Sequence, residues 1–235
     1  MVTVDPTETG HADIVGRLVN AIHSGDVPAL QRLIAQWPEV ATARGHGGRT
    51  ALHVATDWPG YFPNAPRIAA LLIESGADPN ARTDGPRPRE TPLHWTASTD
   101  NLDVADVLID AGADIEAPDG SIGTPLDNAI GYGCWHVARR LVDRGAAVDK
   151  LWHAAALGLL GHLDEGAATA TQDEIDEAFW QACHGGQLRA AQFLLARGAN
   201  IQARPGYADT PAIEVSAEPD TRRQQLVTWM GELGA

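Results

Sequence analysis

The feature that most constrains this chain is a short motif that recurs at nearly regular spacing: Leu, then Leu, Ile or Val, two further residues, and Gly-Ala. A degenerate copy occupies 229–235, and the glycines of the successive copies are Gly76, Gly112, Gly145, Gly198 and Gly234. The steps between these glycines are 36, 33, 53 and 36 residues. Glycine after an aliphatic pair is a common left-handed helix end. The period therefore predicts short helical repeats that are stabilised by stacking on one another.

A second motif recurs in the same phase and marks where helices begin. Its copies are Thr50-Ala51-Leu52-His53, Thr91-Pro92-Leu93-His94, Thr124-Pro125-Leu126-Asp127 and Thr210-Pro211-Ala212-Ile213. Threonine is a good N-cap, and proline at the first helical position lacks an N–H that would have no intrahelical partner.

Together the two motifs and the 33-residue step resemble the ankyrin repeat family over roughly residues 12–235. The resemblance implies an all-α ankyrin-repeat solenoid of about seven helix–turn–helix repeats, curved, with a concave groove. We expect a single domain over 1–235, with repeats at about 11–45, 48–81, 90–117, 123–150, 151–168, 173–202 and 210–235.

Composition limits the classes of function. The net charge of −14 disfavours nucleic acid and anionic membranes. No run of about 18 apolar residues and no secretory signal pattern is present, and the two cysteines, Cys134 and Cys183, form no disulfide framework. We expect a cytoplasmic monomer without a cofactor. Cys134, His136, Cys183 and His184 include two of the residue types that bind zinc, but buried packing is the favoured interpretation and no metal site is predicted.

Repeat 2 departs from the pattern by an insertion. Eleven residues separate Gly60 from Leu71, where other repeats have eight. Segment 59–66 contains three prolines, which predict a stiff loop with Tyr61 and Phe62 at its tip. The loop is either a tolerated surface insertion or a contact surface, and in the second case it would act as a wall or lid over the groove.

The motif histidine of the family is structural, bridging neighbouring repeats, so the resemblance implies that role for His53 and His94. It also places Trp152 and Trp180 at the position of that histidine. Trp37, Trp135 and Trp229 fall on outer-helix positions and are expected to pack.

The resemblance further implies that the residues before each mid-repeat glycine face the groove. This row is aromatic and contains small residues, which is typical of a small-molecule site as well as a protein-binding one. The predicted binding residues are Asp57, Trp58, Tyr61, Phe62, Ser98, Thr99, Asp100, Tyr132, Leu157 and His184. The locally basic turn 82–90 is either a solvated loop or a contact for an acidic group.

Two functions are consistent with these features. The first is a binding module that recognises a protein partner through the groove and turns. The alternative is a cofactor-free enzyme that dehydrates, adds to or cyclises a bulky apolar small molecule, such as a natural-product intermediate. In it His184 acts as general acid or base, Asp57 is a second proton-transfer group and Tyr132 donates to a developing oxyanion.

Overall fold

The computed structural model describes residues 6–86, 88–215 and 221–233. In these residues the chain forms fourteen α-helices and no strand. The helices are α1 (Pro6–Ser24), α2 (Val27–Gln36), α3 (Ala51–Thr56), α4 (Ala65–Glu74), α5 (Pro92–Thr99), α6 (Leu102–Asp110), α7 (Pro125–Gly131), α8 (Trp135–Asp143), α9 (Leu151–Leu157), α10 (Leu160–Ala167), α11 (Gln172–His184), α12 (Leu188–Leu195), α13 (Ala212–Val215) and α14 (Thr221–Glu232).

Successive helices form seven pairs, which confirms the predicted all-α repeat architecture. The chain divides into two compact units, Met1–Gly145 and Ala146–Ala235. In the first unit α1, α3, α5 and α7 pack side by side in an inner row, and α2, α4, α6 and α8 form an outer row. In the second unit α9, α11 and α13 form the inner row, and α10, α12 and α14 the outer row. That all seven repeats make a single domain stays a prediction.

Within the described ranges, no helix has the length and apolar character that crossing a bilayer requires.

The recurring motifs explain where the helices begin and end. Thr91 closes a capping box on α5: its side chain accepts from the backbone of His94, and the His94 ring accepts from the backbone N–H of Thr91. Thr171 and Glu174 make the same box on α11. At the other end, Gly112 and Gly145 have φ values of 87° and 102°, which a residue with a side chain rarely adopts.

The aliphatic residues of the closing motif form the interior between the helix rows. Leu72, Leu108, Leu141 and Leu194 are completely buried. In the second unit, Phe179 and the largely buried Trp180 belong to the same hydrophobic cluster as Leu194. Burial of a leucine side chain is worth about 2 kcal/mol, so each repeat depends on its neighbours for most of its stability.

The motif histidines bridge neighbouring repeats, as the resemblance implied. The Nδ1 atom of His53 accepts from the backbone N–H of Thr50 at 3.1 Å, so the ring proton is on Nε2, which donates to the backbone oxygen of Glu90 at 3.1 Å. The ring of His94 links Thr91 to the backbone oxygen of Gly123 in the same way, at 3.2 and 3.1 Å.

The expectation that Trp152 takes the position of the motif histidine is wrong. Helix α9 has Lys150 as its N-cap, so the third helical position belongs to His153, which is buried, and Trp152 is half-buried one residue earlier. Trp180 does occupy the position, and its indole Nε1–H donates to the backbone oxygen of Thr210 at 2.9 Å. An indole therefore makes the bridge in repeat 6 that histidine makes in repeats 2 and 3.

Removing a motif histidine is expected to destabilise the stack. His94→Ala leaves the N–H of Thr91 and the carbonyl of Gly123 without their buried partner, so the free energy of unfolding should fall by about 2–4 kcal/mol. Urea unfolding followed by circular dichroism measures the change. His162→Ala, at an exposed histidine on α10, is the matched control and should change stability little. A drop in His94→Ala no larger than in the control would contradict the bridging role.

Stability should also fall with acid. Burial lowers the pKa of His53 from 6.5 to about 4, and burial also lowers the pKa of His94. Because the unfolded chain binds these protons more readily, stability is fully present above the unfolded pKa and is lost as pH falls from about 6.5 towards 4, by up to about 3 kcal/mol for His53. Urea midpoints at pH 7.5 and 5.0 test this. His53→Gln, which takes up no proton, should be less stable at pH 7.5 and show a shallower decline.

Candidate functional site

In the first unit, residues of repeats 2 to 4 surround one cavity of about 400 Å³, which we call the aromatic cavity. It is lined by Thr56, Asp57, Trp58, Glu90, Trp95, Ser98, Thr99, Ser121 and Tyr132. Five of the predicted groove residues are brought together there: Asp57, Trp58, Ser98, Thr99 and Tyr132.

Two of these aromatic side chains are largely in solvent. Trp58 is 80% exposed and Tyr132 is 54% exposed. Both follow the last turn of an inner helix, where the chain leaves the packed interior, and Asp57 Oδ1 accepts from the Trp58 backbone N–H at 2.9 Å. The Tyr132 hydroxyl is hydrogen-bonded to the Ser121 hydroxyl at 3.2 Å, which fixes its direction.

Trp95 is a cavity residue that the sequence reasoning missed. It follows the motif histidine directly and is half-buried, and its Nε1 atom is buried with no hydrogen-bond partner among the described residues. The guanidinium of Arg49 lies 4.7 Å from the centre of the Trp95 ring and 3.5 Å from Asp57 Oδ2. The Asp57 carboxylate is thus engaged by Arg49 beside the Trp95 ring.

Glu90 was also missed as a site residue. Its Oε1 atom accepts from the Ser121 backbone N–H and from Asn128 Nδ2, both at 3.0 Å. Its backbone pairs with Thr83 across the turn, and its carbonyl also accepts from His53. These bonds hold the carboxylate at the cavity edge. Glu90 could have been identified from the sequence, because it lies directly before the helix-start motif Thr91-Pro92-Leu93-His94.

The inserted loop is fastened to the repeats on both sides. The Tyr61 hydroxyl donates to the Asp100 backbone oxygen at 2.5 Å, the Phe62 ring stacks on His23 at 4.4 Å, and Asn64 Nδ2 donates to the backbone oxygen of Gly25 at 2.9 Å. Neither Tyr61 nor Phe62 lines the aromatic cavity. The loop therefore forms a clamp between turns, and its role as a wall or lid over the groove stays a hypothesis.

Asp100, predicted as a groove residue, has a structural role. It replaces the mid-repeat glycine with a φ of 54°. Its Oδ1 atom accepts from the Val137 backbone N–H at 2.9 Å, and its Oδ2 is 2.6 Å from His136 Nδ1. Because Val137 lies in the first turn of α8, the Asp100 carboxylate stabilises this helix of the next repeat.

The remaining predicted residues lie in the second unit. Leu157, the last residue of α9, is buried rather than facing a groove. His184 is half-buried, with its ring centre 5.1 Å from that of Trp180. The predicted catalytic set is thus divided: Asp57 and Tyr132 line the cavity of the first unit, and His184 belongs to the second.

The cysteines offer no activated nucleophile. Burial raises the pKa of Cys134 to about 11 and that of Cys183 to about 12, so both are neutral thiols near pH 7. Across the described ranges, no group of three or more His, Cys, Asp or Glu side chains is arranged to hold a metal ion.

The turn 82–90 is tied to its neighbours. Arg82 donates to the backbone oxygens of Arg89 and Pro118 at 3.1 and 2.6 Å, and Arg44 forms an ion pair with Asp84 at 3.1 Å. The Arg82 guanidinium therefore stabilises the turn. Arg87, which also belongs to the predicted contact turn 82–90, lies outside the described residues.

A second cavity, of about 660 Å³, lies between α11 and the turn 200–207. Two of its carboxylates have partners within the chain: Asp176 accepts from the Asn200 backbone N–H at 2.8 Å, and Glu177 accepts from the Tyr207 hydroxyl at 3.0 Å. Burial raises the pKa of Tyr207, which therefore stays protonated.

Comparison with curated proteins finds relatives over part of the chain. The p105 subunit of nuclear factor NF-kappa-B from Mus musculus is 36% identical over 104 residues, which is 42% of this chain and 10% of that protein. Human ankyrin repeat and SOCS box protein 16 is 38% identical over 86 residues, which is 35% of this chain and 18% of that protein. The matched part is thus less than a fifth of the length of these relatives.

Solved structures match over most of the chain. The ankyrin repeat domain of human ASB11 superposes with a TM-score of 0.56 at 20% identity, covering 90% of this chain and 96% of that domain. The ankyrin repeat domain of Bcl-3 gives 0.55 at 22% identity, covering 90% and 97%. At these identities the likeness shows the fold. Residues 64–152 also match the family described as ankyrin repeats in three copies. The motifs, the capping geometry and these matches together identify residues 64–152 as ankyrin repeats, and the solved structures show the same fold over 90% of the chain.

Proposed function

We propose that this chain is a protein-binding module and that its partner docks on the surface around the aromatic cavity. The observation that carries the proposal is the 80% exposure of Trp58 at the edge of a cavity that Tyr132 also lines. Tryptophan and tyrosine are the residues on which protein interfaces most often depend, since they bury a large area at a low entropic cost.

The surroundings of Trp58 and Tyr132 extend the surface. Ile122, which is 47% exposed, lies over Gly131 so closely that a Cβ on the glycine would come within 2.2 Å of Ile122 Cδ1. Ile122 itself is held by a hydrogen bond from its backbone N–H to Asn128 Oδ1 at 3.0 Å. A fixed, exposed apolar patch of this kind is typical of interaction sites. Resemblance to a family of interaction scaffolds supports the same function.

Crosslinking from the patch tests the proposal. A photoreactive phenylalanine analogue placed at position 132 should crosslink a specific protein in cell extract, and Trp58→Ala should reduce that crosslink at least tenfold, because loss of a central interface tryptophan typically costs about 2 kcal/mol or more. The same analogue at Leu160, an exposed aliphatic residue on α10, is the matched control. Crosslinked species that are the same from both positions, or unaffected by Trp58→Ala, would count against the proposal.

A small-molecule site is the second candidate, because a cavity of about 400 Å³ lies within the size range of ligand pockets. In the enzyme hypothesis Asp57 is a proton-transfer group and Tyr132 donates a hydrogen bond to an oxyanion, and both line this cavity, whereas the general acid or base His184 does not. Titration with apolar metabolites should then quench tryptophan emission saturably, and Trp58→Ala should abolish the response. A flat response across a broad panel rejects this candidate and leaves the protein-binding one standing.

A further inference from the structure

We infer that the aromatic cavity receives a cationic side chain, the ammonium of a lysine or the guanidinium of an arginine, from the protein partner. The inference rests on the proposed protein-binding function and specifies its chemistry. Three observations support it: the aromatic faces, the direction of the hydroxyl groups and an unbalanced carboxylate.

The walls of the cavity attract cations. Trp58, Trp95 and Tyr132 line it, and an aromatic face binds a positive charge through its quadrupole. The chain already uses this interaction at the same wall, where the guanidinium of Arg49 lies 4.7 Å from the centre of the Trp95 ring. The exposed ring of Trp58 has no comparable cation among the described residues.

Three of the five hydroxyl groups in the lining leave acceptors rather than donors for a ligand. Thr56, Ser98 and Thr99 donate their hydroxyl protons to the backbone oxygens of Leu52, His94 and Trp95, at 3.1, 2.9 and 3.2 Å. Their lone pairs are what a ligand would meet. The Trp95 Nε1–H is buried and therefore does not donate a hydrogen bond to a ligand either. A group that donates several hydrogen bonds fits these three acceptors, and the paired hydroxyls of Ser121 and Tyr132 leave one further proton.

One carboxylate of the lining is not balanced. Asp57 pairs with Arg49 at 3.5 Å, whereas Glu90 accepts only from neutral N–H groups, those of Ser121 and Asn128, and both bonds go to Oε1. Over the described ranges, Oε2 of Glu90 makes no hydrogen bond. The cavity therefore carries a negative charge that a lysine or arginine would neutralise, and the net charge of −14 favours a basic partner surface around it.

A titration with defined probes tests the inference. Nα-acetyl-lysine methylamide and Nα-acetyl-arginine methylamide should change tryptophan emission saturably at low salt, and the uncharged norleucine counterpart should not. Glu90→Gln keeps the acceptor atom and removes the charge, so it should weaken binding of the cationic probes about tenfold. Glu74→Gln, at an exposed glutamate on α4, is the matched control and should bind like the unmodified chain.

A second variant separates ring chemistry from folding. Trp58→Leu keeps an exposed apolar side chain and removes the aromatic face, so the fold should be retained and binding of the cationic probes lost, as read from the remaining tryptophans and from NMR shifts of the probe. Equal binding of the lysine and norleucine probes, or full binding by both Glu90→Gln and Trp58→Leu, would overturn the inference. If the crosslink to the partner still depends on Trp58 in that case, the protein-binding function stands and only the cationic ligand is rejected. If the probes bind as expected but no partner depends on Trp58, the proposed function fails instead.

Discussion

The buried hydrogen bond from one repeat to the backbone of the next is the interaction on which the rest of the structure depends. It holds the inner helices of repeats 2, 3 and 6 in register with the following turn, through His53, His94 and Trp180. The bond at His53 ends on Glu90, whose side chain also lines the aromatic cavity. Repeat geometry and site geometry are therefore set by the same residue, and a ligand that pulls on Glu90 acts on the contact between repeats 2 and 3.

Much of the architecture was readable from the sequence because the repeat signals are local. A threonine cap, a following proline and a terminal glycine each act within one turn of helix, so seven helix pairs could be predicted without knowing any tertiary contact. The fifth repeat lacks the Thr-Pro start, and there the register was misjudged by one residue: His153 stands where Trp152 was expected. Leu157, also in the fifth repeat, is buried although its sequence position predicted that it faces the groove.

Only part of the site could be predicted, because its residues come from two kinds of position in the repeat. Asp57, Trp58, Ser98, Thr99 and Tyr132 follow from their positions at the ends of inner helices. Glu90 and Ser121 reach the same cavity from the projecting turns, and the distance between a turn and a helix end depends on how adjacent repeats stack.

The charged side chains on the outer row of the first unit neutralise one another. Arg140 and Arg144 pair with Asp106 and Asp110 of the preceding repeat, and these ion pairs add little stability. The unneutralised carboxylate and the exposed rings are found at the cavity instead.

The clamp formed by segment 59–66 has a consequence for how the first repeats open. A stack of repeats behaves as a one-dimensional lattice in which stability is a sum of repeat terms and nearest-neighbour terms. The Tyr61 contact adds to the stabilising free energy between repeats 2 and 3, while the Phe62 and Asn64 contacts add to that between repeats 1 and 2. Stronger contacts between neighbouring repeats make fraying from the end less favourable and lengthen the segment that unfolds cooperatively. Repeats 1 to 3 therefore form such a block, with the Trp58 surface inside it rather than at a fraying boundary.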